Sequence, residues 1–441
     1  MASRSHMMLS DQRRVVLVAP EFPPSNSAGA HRPRLFAKHL PAFGWTPTVL
    51  TVRPEQIEGP LDPMLERLLD PALTILRTAA IPIKPLRIIG DLGLRSLPAH
   101  ARALTSMMSR GNVDALVLFG PPWFSFALGP MMKRRFGVPY VVDYIDPWIT
   151  AWSATRPFPE KAWFYHRAAA AIEPSVLRSA AHVTAVSEGI LEDLRGRYPW
   201  LEAERMSAMP YGAEPDDLEA AVRLGLAPPD FSGADEDVTI SFTGAVQPTS
   251  QALVNAALRA LGALDRSRSA TRRRIRLRAY GTSNLTWGHG CYTILPMARE
   301  LAVDHLVSEI PERIPYLQAM SVLQASGIVL VMGSTDAYYH ASKLYPAIVS
   351  GRPILAVCHR DSSIKHVVEQ TGAGVCVTFG DPLELQSRVG EIASAIESLA
   401  GRPRRTPEAV AIEPFTARAS TAGLARVLDH VTDRPALAEA I

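Results

Sequence analysis

Lys343 follows Ser342 and precedes Leu344, Ala347 and Ile348 at helical spacing, so one turn combines an ammonium, a hydroxyl and the opening amides of a helix. Free amides and the helix dipole favour anions, and a lysine adds a point charge. The chemistry this turn offers is phosphate binding, with His340 close by in sequence. Gly244 follows the strand-like run Val238–Phe242, and Gly281 and Thr282 follow Ile275–Tyr280. They mark a rim where a phosphate can approach the backbone. A Pro-rich turn from Pro20 delivers Gly29 to a second helix start, and His31, Arg32 and Arg34 add positive charge there.

Carboxylates supply a different chemistry. Asp143 and Asp146 flank the end of the apolar run Tyr140–Asp143 and precede Pro147 and Trp148. A carboxylate at a strand end can orient a substrate hydroxyl or take its proton, and Trp123 and Trp148 offer aromatic platforms beside it. Asp146 is the expected catalytic carboxylate. No metal site is expected, because the acidic residues Asp235, Glu236 and Asp237 precede a strand and His289, Cys291 and His305 lack ligand spacing.

The elements that must position these groups alternate between strand and helix. Val15–Val18, Thr48–Val52, Val113–Phe119, Tyr140–Asp143 and Ala181–Val186 are strand-length apolar runs separated by helical segments, the last followed by a helix that Ser187 caps. Val238–Phe242, Ile275–Tyr280, Ile328–Met332, Pro353–Val357 and Gly374–Val377 repeat the pattern. Alternation of this kind predicts parallel sheets with crossover helices, in which ligands bind beyond the carboxyl ends of the strands. The predicted fold class is α/β, with two Rossmann-like doubly wound domains facing a cleft.

The expected division is residues 1–12 as a leader and disordered start, 13–224 as the first domain, 225–237 as a linker and 238–414 as the second. Residues 415–441 form a C-terminal helix with the option of returning to the first domain. At 441 residues the chain exceeds what one core usually fills. The composition, 47% hydrophobic and 20% charged, is that of a globular enzyme, and the net charge of +3 gives no case for nucleic-acid binding. The basic run Arg272–Arg274 reads as a local solvated feature. Three cysteines without CxxC spacing fit a reducing cytoplasm. No run approaches the ~20 apolar residues of a membrane span. The opening MASRSHM lacks the apolar core of a signal peptide. Between Pro54 and Pro98, leucines and isoleucines interleave with Lys84, Arg87 and Arg95, which predicts an amphipathic insertion packed on the first domain, with peripheral membrane contact as the alternative.

The blocks VAPEFPPSNSAGAHRPRLFAKHLPAFGWTPTVLTV, VLFGPPWFSFALGPMMKRRFGVPYVVDYIDPW and HVTAVSEGILEDLRGRYP resemble the first domain of family 4 glycosyltransferases. ISFTGAV, LRAYGT and ASKLYPAIVSGRPILAV resemble its second domain, so the likeness runs from Arg13 to about Val377. The resemblance implies the two-domain architecture called GT-B and an enzyme, a retaining hexosyltransferase-like transferase. It would move a sugar from a UDP- or GDP-linked donor to a small-molecule or glycan acceptor, in natural-product or glycan biosynthesis, without metal and without a cofactor beyond the donor. It implies donor mostly on the second domain and acceptor mostly on the first; the strand-end reading expects donor at Gly29, Gly244, Gly281, Thr282, His340, Ser342, Lys343 and Leu344, and acceptor at His31, Arg32, Trp123, Asp143 and Trp148. Lys343 would steady the departing diphosphate, and Asp146 would act on the acceptor side. The sequence departs from the family pattern at Tyr338 and Pro346, where many members carry glutamates, and no Arg and Lys pair follows Gly244. Two rivals follow, a non-catalytic nucleotide-sugar or carbohydrate binder and a nucleotide-sugar epimerase of the same architecture.

Overall fold

A computed structural model describes residues 13–83, 90–229, 238–267, 275–283, 290–336, 339, 341–405 and 408–432. The readings placed on His340, Tyr338, His289, the run Arg272–Arg274, the triplet Asp235, Glu236 and Asp237, and Lys84 to Ile89 lie outside the described residues.

β-branched and apolar runs form the strands, because such side chains pack well on a pleated surface covered by helices on both faces. The first sheet contains β1 (Arg13–Val18), β2 (Trp45–Val52), β3 (Thr74–Thr78), β4 (Ala115–Gly120), β5 (Tyr140–Tyr144), β6 (His182–Ala185) and β7 (Met206–Ala208). Its seven strands lie in the order β3-β2-β1-β4-β5-β6-β7, every pair parallel. The second contains β8 (Val238–Thr243), β9 (Ile275–Tyr280), β10 (Val307–Ile310), β11 (Ile328–Met332), β12 (Ile354–His359) and β13 (Gly374–Phe379). Its six strands, again all parallel, run β10-β9-β8-β11-β12-β13. The edge strands β3 and β10 carry no strand expectation from the sequence. Both sheets are doubly wound and Rossmann-like, the fold that the alternation predicts.

The chain divides into two compact units, residues 1–211 with 417–441, and residues 212–416. The change of unit therefore falls at 211/212, ahead of the sequence boundary at 224/225. The helix Pro215–Arg223 sorts with the second unit, where Tyr316 Oη donates to Asp217 Oδ2 at 2.7 Å and Gln324 donates to the Leu218 carbonyl at 3.1 Å. The helix Ala417–Val431 belongs to the first unit. Its Leu424, Ala425, Val427 and Leu428 pack with Val15, Leu17, Val49 and Val117. Asp429 accepts from Trp45 Nε1 at 2.8 Å and pairs with Arg13. No helix among the described residues is long and apolar enough to cross a membrane.

Candidate active site

Strand order locates one crevice per unit. In a doubly wound sheet, loops leave adjacent strands in opposite directions where the order reverses, and a gap opens at their carboxyl ends. The reversals lie between β1 and β4 in the first sheet and between β8 and β11 in the second.

At the first crevice the helix Ala28–His39 follows the β1 loop, and that loop is braced by Asn26 N donating to Pro60 O at 2.9 Å and Asp62 N donating to Pro24 O at 2.7 Å. Gly29 sits in its first turn, where an added Cβ would come within 3.0 Å of the Pro121 carbonyl in the β4 loop. Close packing of helix against loop explains the glycine. Trp123, in the same loop, donates from Nε1 to the Asp146 carbonyl at 3.1 Å. Gly29, Trp123 and Asp146 thus meet on one rim, with half-buried His31 two residues beyond Gly29. Asp146 keeps an accessible side chain, and no donor among the described residues engages its carboxylate. Crowding by the surrounding loop raises its carboxyl pKa above the usual value.

Three acceptor-side expectations are corrected. Asp143 is fully buried and receives Arg32 Nε at 2.6 Å, Arg32 Nη2 at 2.9 Å and the Thr184 hydroxyl at 2.5 Å. Arg32 is equally enclosed, its Nη1 donates to the Pro210 carbonyl at 3.3 Å, and its guanidinium lies 4.7 Å from the Phe36 ring centre. This bidentate pair ties the β1 helix to β5 and β6 and presents nothing to a ligand. Trp148 is also interior, edge-on to Phe124 at 5.2 Å and Phe126 at 5.8 Å, because the chain turns back into the core after Pro147. Ser27, the N-cap residue of the helix Ala28–His39, makes no capping bond, and its hydroxyl has no hydrogen-bond partner. Ser187 likewise occupies a cap position without bonding the helix, contrary to the expected cap.

At the second crevice the Gly244 and Thr249 segment runs beside its neighbours, with Gly244 N donating to Tyr280 O at 3.0 Å and Thr335 N donating to Thr249 O at 3.0 Å. A Cβ on Gly244 would meet only the Phe242 ring, at an ordinary 3.6 Å, so the protein itself leaves that space open. Gly281 differs, since its φ of +68° requires glycine. Lys343, beside half-buried Ser342, precedes the helix Leu344–Val349. Its side chain keeps accessible surface, yet desolvation by crowding atoms and then the charge of Arg313 hold its ammonium down to about 8. Arg313 follows β10, its Cα 3.6 Å from where a Gly281 Cβ would stand. Arg313 therefore stands beside Gly281 and its charge reaches Lys343, and it is the cation that sequence reading missed, hidden behind an unpredicted edge strand.

Two donor-side expectations are corrected. Thr282 is fully buried and donates to Glu309, a carboxylate that also receives the amides of Thr293 at 2.9 Å and Leu295 at 2.7 Å and so caps the helix Ile294–Glu300. Leu344 is buried at 2% exposure and its amide bonds Ala341 O at 3.0 Å, which leaves the turn's open positions at Ser342 and Lys343. Among the described residues no group of three or more His, Cys, Asp or Glu is placed to hold a metal ion.

Residues 28–212 match the sequence model of the glycosyl transferase 4-like domain. Comparison with curated proteins returned no match. Among solved structures, sucrose-phosphate synthase from Thermosynechococcus elongatus is similar at 16% identity and a TM-score of 0.60, over 96% of this chain and 99% of that one. HepE of Anabaena, in complex with UDP and glucose, is similar at 15% identity and a TM-score of 0.59, over 95% and 100% of the two chains. A glycosyltransferase from Rickettsia africae gives 13% identity and a TM-score of 0.58, over 96% and 100%. These likenesses extend across both units and establish the shared GT-B fold.

Proposed function

The chain carries a glycosyl transferase 4-like domain within a GT-B fold, and from that premise we propose that it transfers a sugar from a nucleoside diphosphate donor to a small-molecule or glycan acceptor. The observation that supports this best is the pairing of Lys343 with Arg313 beside Gly281. The positive charge of Arg313 acts on Lys343, which favours an anion beside them, and a leaving diphosphate gains negative charge as the glycosidic bond breaks. The second unit is the donor half-site, with Gly244, Gly281, Ser342 and Lys343 around the phosphates. HepE was solved with UDP and glucose, which makes a UDP-linked hexose the first donor to try.

Asp146 and Trp123 form the acceptor half-site on the first unit. Asp146 orients the acceptor hydroxyl while the departing phosphate takes its proton, and the sugar configuration is retained. Transfer proceeds without metal, since cations and amides serve the leaving group, and activity is expected to survive chelation. Loss in chelator and recovery with manganese would refute that. The enzyme works in a reducing, cytoplasmic compartment, consistent with three cysteines and no CxxC pair.

Peripheral membrane contact falls on Phe158 and Phe164, exposed at 67% and 52%, more than Leu61, Leu76 and Ile81 of the 54–98 stretch at 42%, 38% and 46%. Trp163 contacts both rings at 5.3 and 5.0 Å, and Arg167 lies 5.7 Å from the Trp163 centre. Aromatic and basic groups together suit an anionic lipid surface. Equal flotation of wild type and a Phe158→Ser/Phe164→Ser variant with anionic vesicles would reject it.

The central test measures thermal stabilisation by UDP and GDP in wild type and Lys343→Ala. The variant should lose about 1–3 kcal/mol of ligand-dependent stabilisation, the worth of one charge-assisted bond. Binding should also weaken as pH rises through about 8, where the unliganded lysine sheds the proton that the diphosphate requires. An unchanged variant would remove Lys343 from the site. Product analysis with and without acceptor separates transfer from epimerisation and from mere binding.

A further inference from the structure

The second unit holds another cavity, at the opposite end of its sheet from the Gly244 and Gly281 rim. It opens at Pro353 and Gly374, which stand at the amino ends of β12 and β13, and has a volume of about 400 Å³. Arg352, Arg402 and Arg405 line it together with Glu369, Gln370 and Glu408. The backbone around it is tightly specified. Gly351 has φ +69°, an added Cβ there would come within 2.4 Å of the Arg405 carbonyl, and Arg405 N donates back to Gly351 O at 2.8 Å. Arg404 is fastened by Nε to the Ser350 carbonyl at 2.8 Å.

Arg352 is the anomaly. Its Nε is buried without a hydrogen-bond partner, and among the described residues none of Arg352, Arg402, Arg404 and Arg405 forms an ion pair. Burial, and then the positive charge of Arg404, lower the Arg352 pKa, so the two guanidinia repel one another. Arg352 is half-buried while Arg402, Arg404 and Arg405 are exposed, and like charges gathered beside one cavity attract an anion. Ile348, Leu399 and Ala411 supply apolar wall, and the two carboxylates and the amide supply acceptors and a donor for hydroxyl groups.

We propose that this cavity binds a phosphorylated small molecule of about sugar size, its phosphate held by Arg352 and Arg405 and its hydroxyls by Glu369, Gln370 and Glu408. The site is distinct from the rim to which sugar transfer is assigned, so its ligand is an effector and not the donor.

The test titrates the full chain with glucose 6-phosphate, glucose and inorganic phosphate by calorimetry, with and without saturating UDP. Glucose 6-phosphate should bind in both conditions, at least tenfold more tightly than phosphate, and glucose should not bind. Arg352→Gln should weaken glucose 6-phosphate binding tenfold or more and leave UDP binding unchanged. That variant is expected to fold, since among the described residues none bonds the Arg352 side chain, and Arg405→Gln provides a second reading of the same loss. Absence of glucose 6-phosphate binding to wild type, displacement by UDP, or wild-type affinity in both variants would overturn the proposal. Equal affinity for phosphate and the sugar phosphate would overturn the sugar-sized assignment.

Discussion

Replacing Arg32 by Met tests whether the Arg32–Asp143 pair is scaffold or ligand contact. Asp143 is 0% exposed and, once the guanidinium is gone, keeps only the Thr184 hydroxyl as a side-chain donor. A buried carboxylate stripped of its partner typically costs about 3–5 kcal/mol. The contact with the Phe36 ring and the bond to Pro210 O disappear as well, so the upper half of that range is expected. For a unit of this size roughly 2 °C follows each kcal/mol, which gives a fall in melting temperature of about 8–10 °C. Arg32→Met/Asp143→Asn removes both charges and should recover much of the loss, a coupling that a double-mutant cycle measures directly. Circular dichroism melts at pH 7 provide the readout, with acceptor KM on surviving protein as the control. If Arg32→Met melts within 2 °C of wild type (about 1 kcal/mol) while acceptor KM rises many-fold, the pair belongs to the acceptor site and the structural reading fails.

Asp146→Asn should lower the transfer rate by about 10²-fold while nucleoside diphosphate binding stays intact; wild-type turnover, or an inverted product by NMR, would exclude its assigned role. Gly244→Ala should leave the melting temperature unchanged, because the added methyl meets only the Phe242 ring at 3.6 Å, yet weaken UDP binding measurably. Normal UDP affinity in that variant would show that no ligand approaches there. His100 is fully buried, and burial lowers its pKa from 6.5 to about 4 against a smaller opposing effect of the Thr51 backbone. The unfolded chain therefore binds more protons below pH 6.5, so stability falls between 6.5 and about 4, by roughly 3 kcal/mol for this residue. His100→Leu should flatten that acid limb in denaturant titrations at pH 7 and 4.5, and an unchanged pH slope would contradict the assignment.

Central strands were legible because burial on both faces leaves an unbroken apolar run, as in Val15–Val18 and Ile328–Met332. The edge strands Thr74–Thr78 and Val307–Ile310 were not, since pairing on one side lets Arg77 and Glu309 sit within them and erases the pattern. Missing the second of these concealed Arg313 at its end. That Gly244 and Gly281 follow strands was readable from position alone, whereas the direction of a side chain was not. Asp143 and Asp146 stand three residues apart at one strand end, and only packing shows that the first turns into Arg32 and Thr184 while the second stays open. Trp148 misled for the same reason. The unit boundary was displaced because Pro215–Arg223 reads as one more helix of the first half, and the Tyr316–Asp217 bond that assigns it elsewhere spans 99 residues.

The last helix also sets an order of events for a chain emerging from the ribosome. Arg13 opens β1, yet its partner Asp429 is made 416 residues later, and Trp45 waits 384 residues for the same carboxylate. Until then Arg13 Nη1 and Trp45 Nε1 lack the Asp429 carboxylate, and the apolar face of Val15 and Leu17 lacks the cover of Leu424 and Leu428. Residues 212–416 contain their whole sheet in one continuous stretch. The second unit can therefore complete itself first, and the half of the protein synthesised earliest is the one that must wait, exposed to chaperones and proteases, for the final turns of the chain.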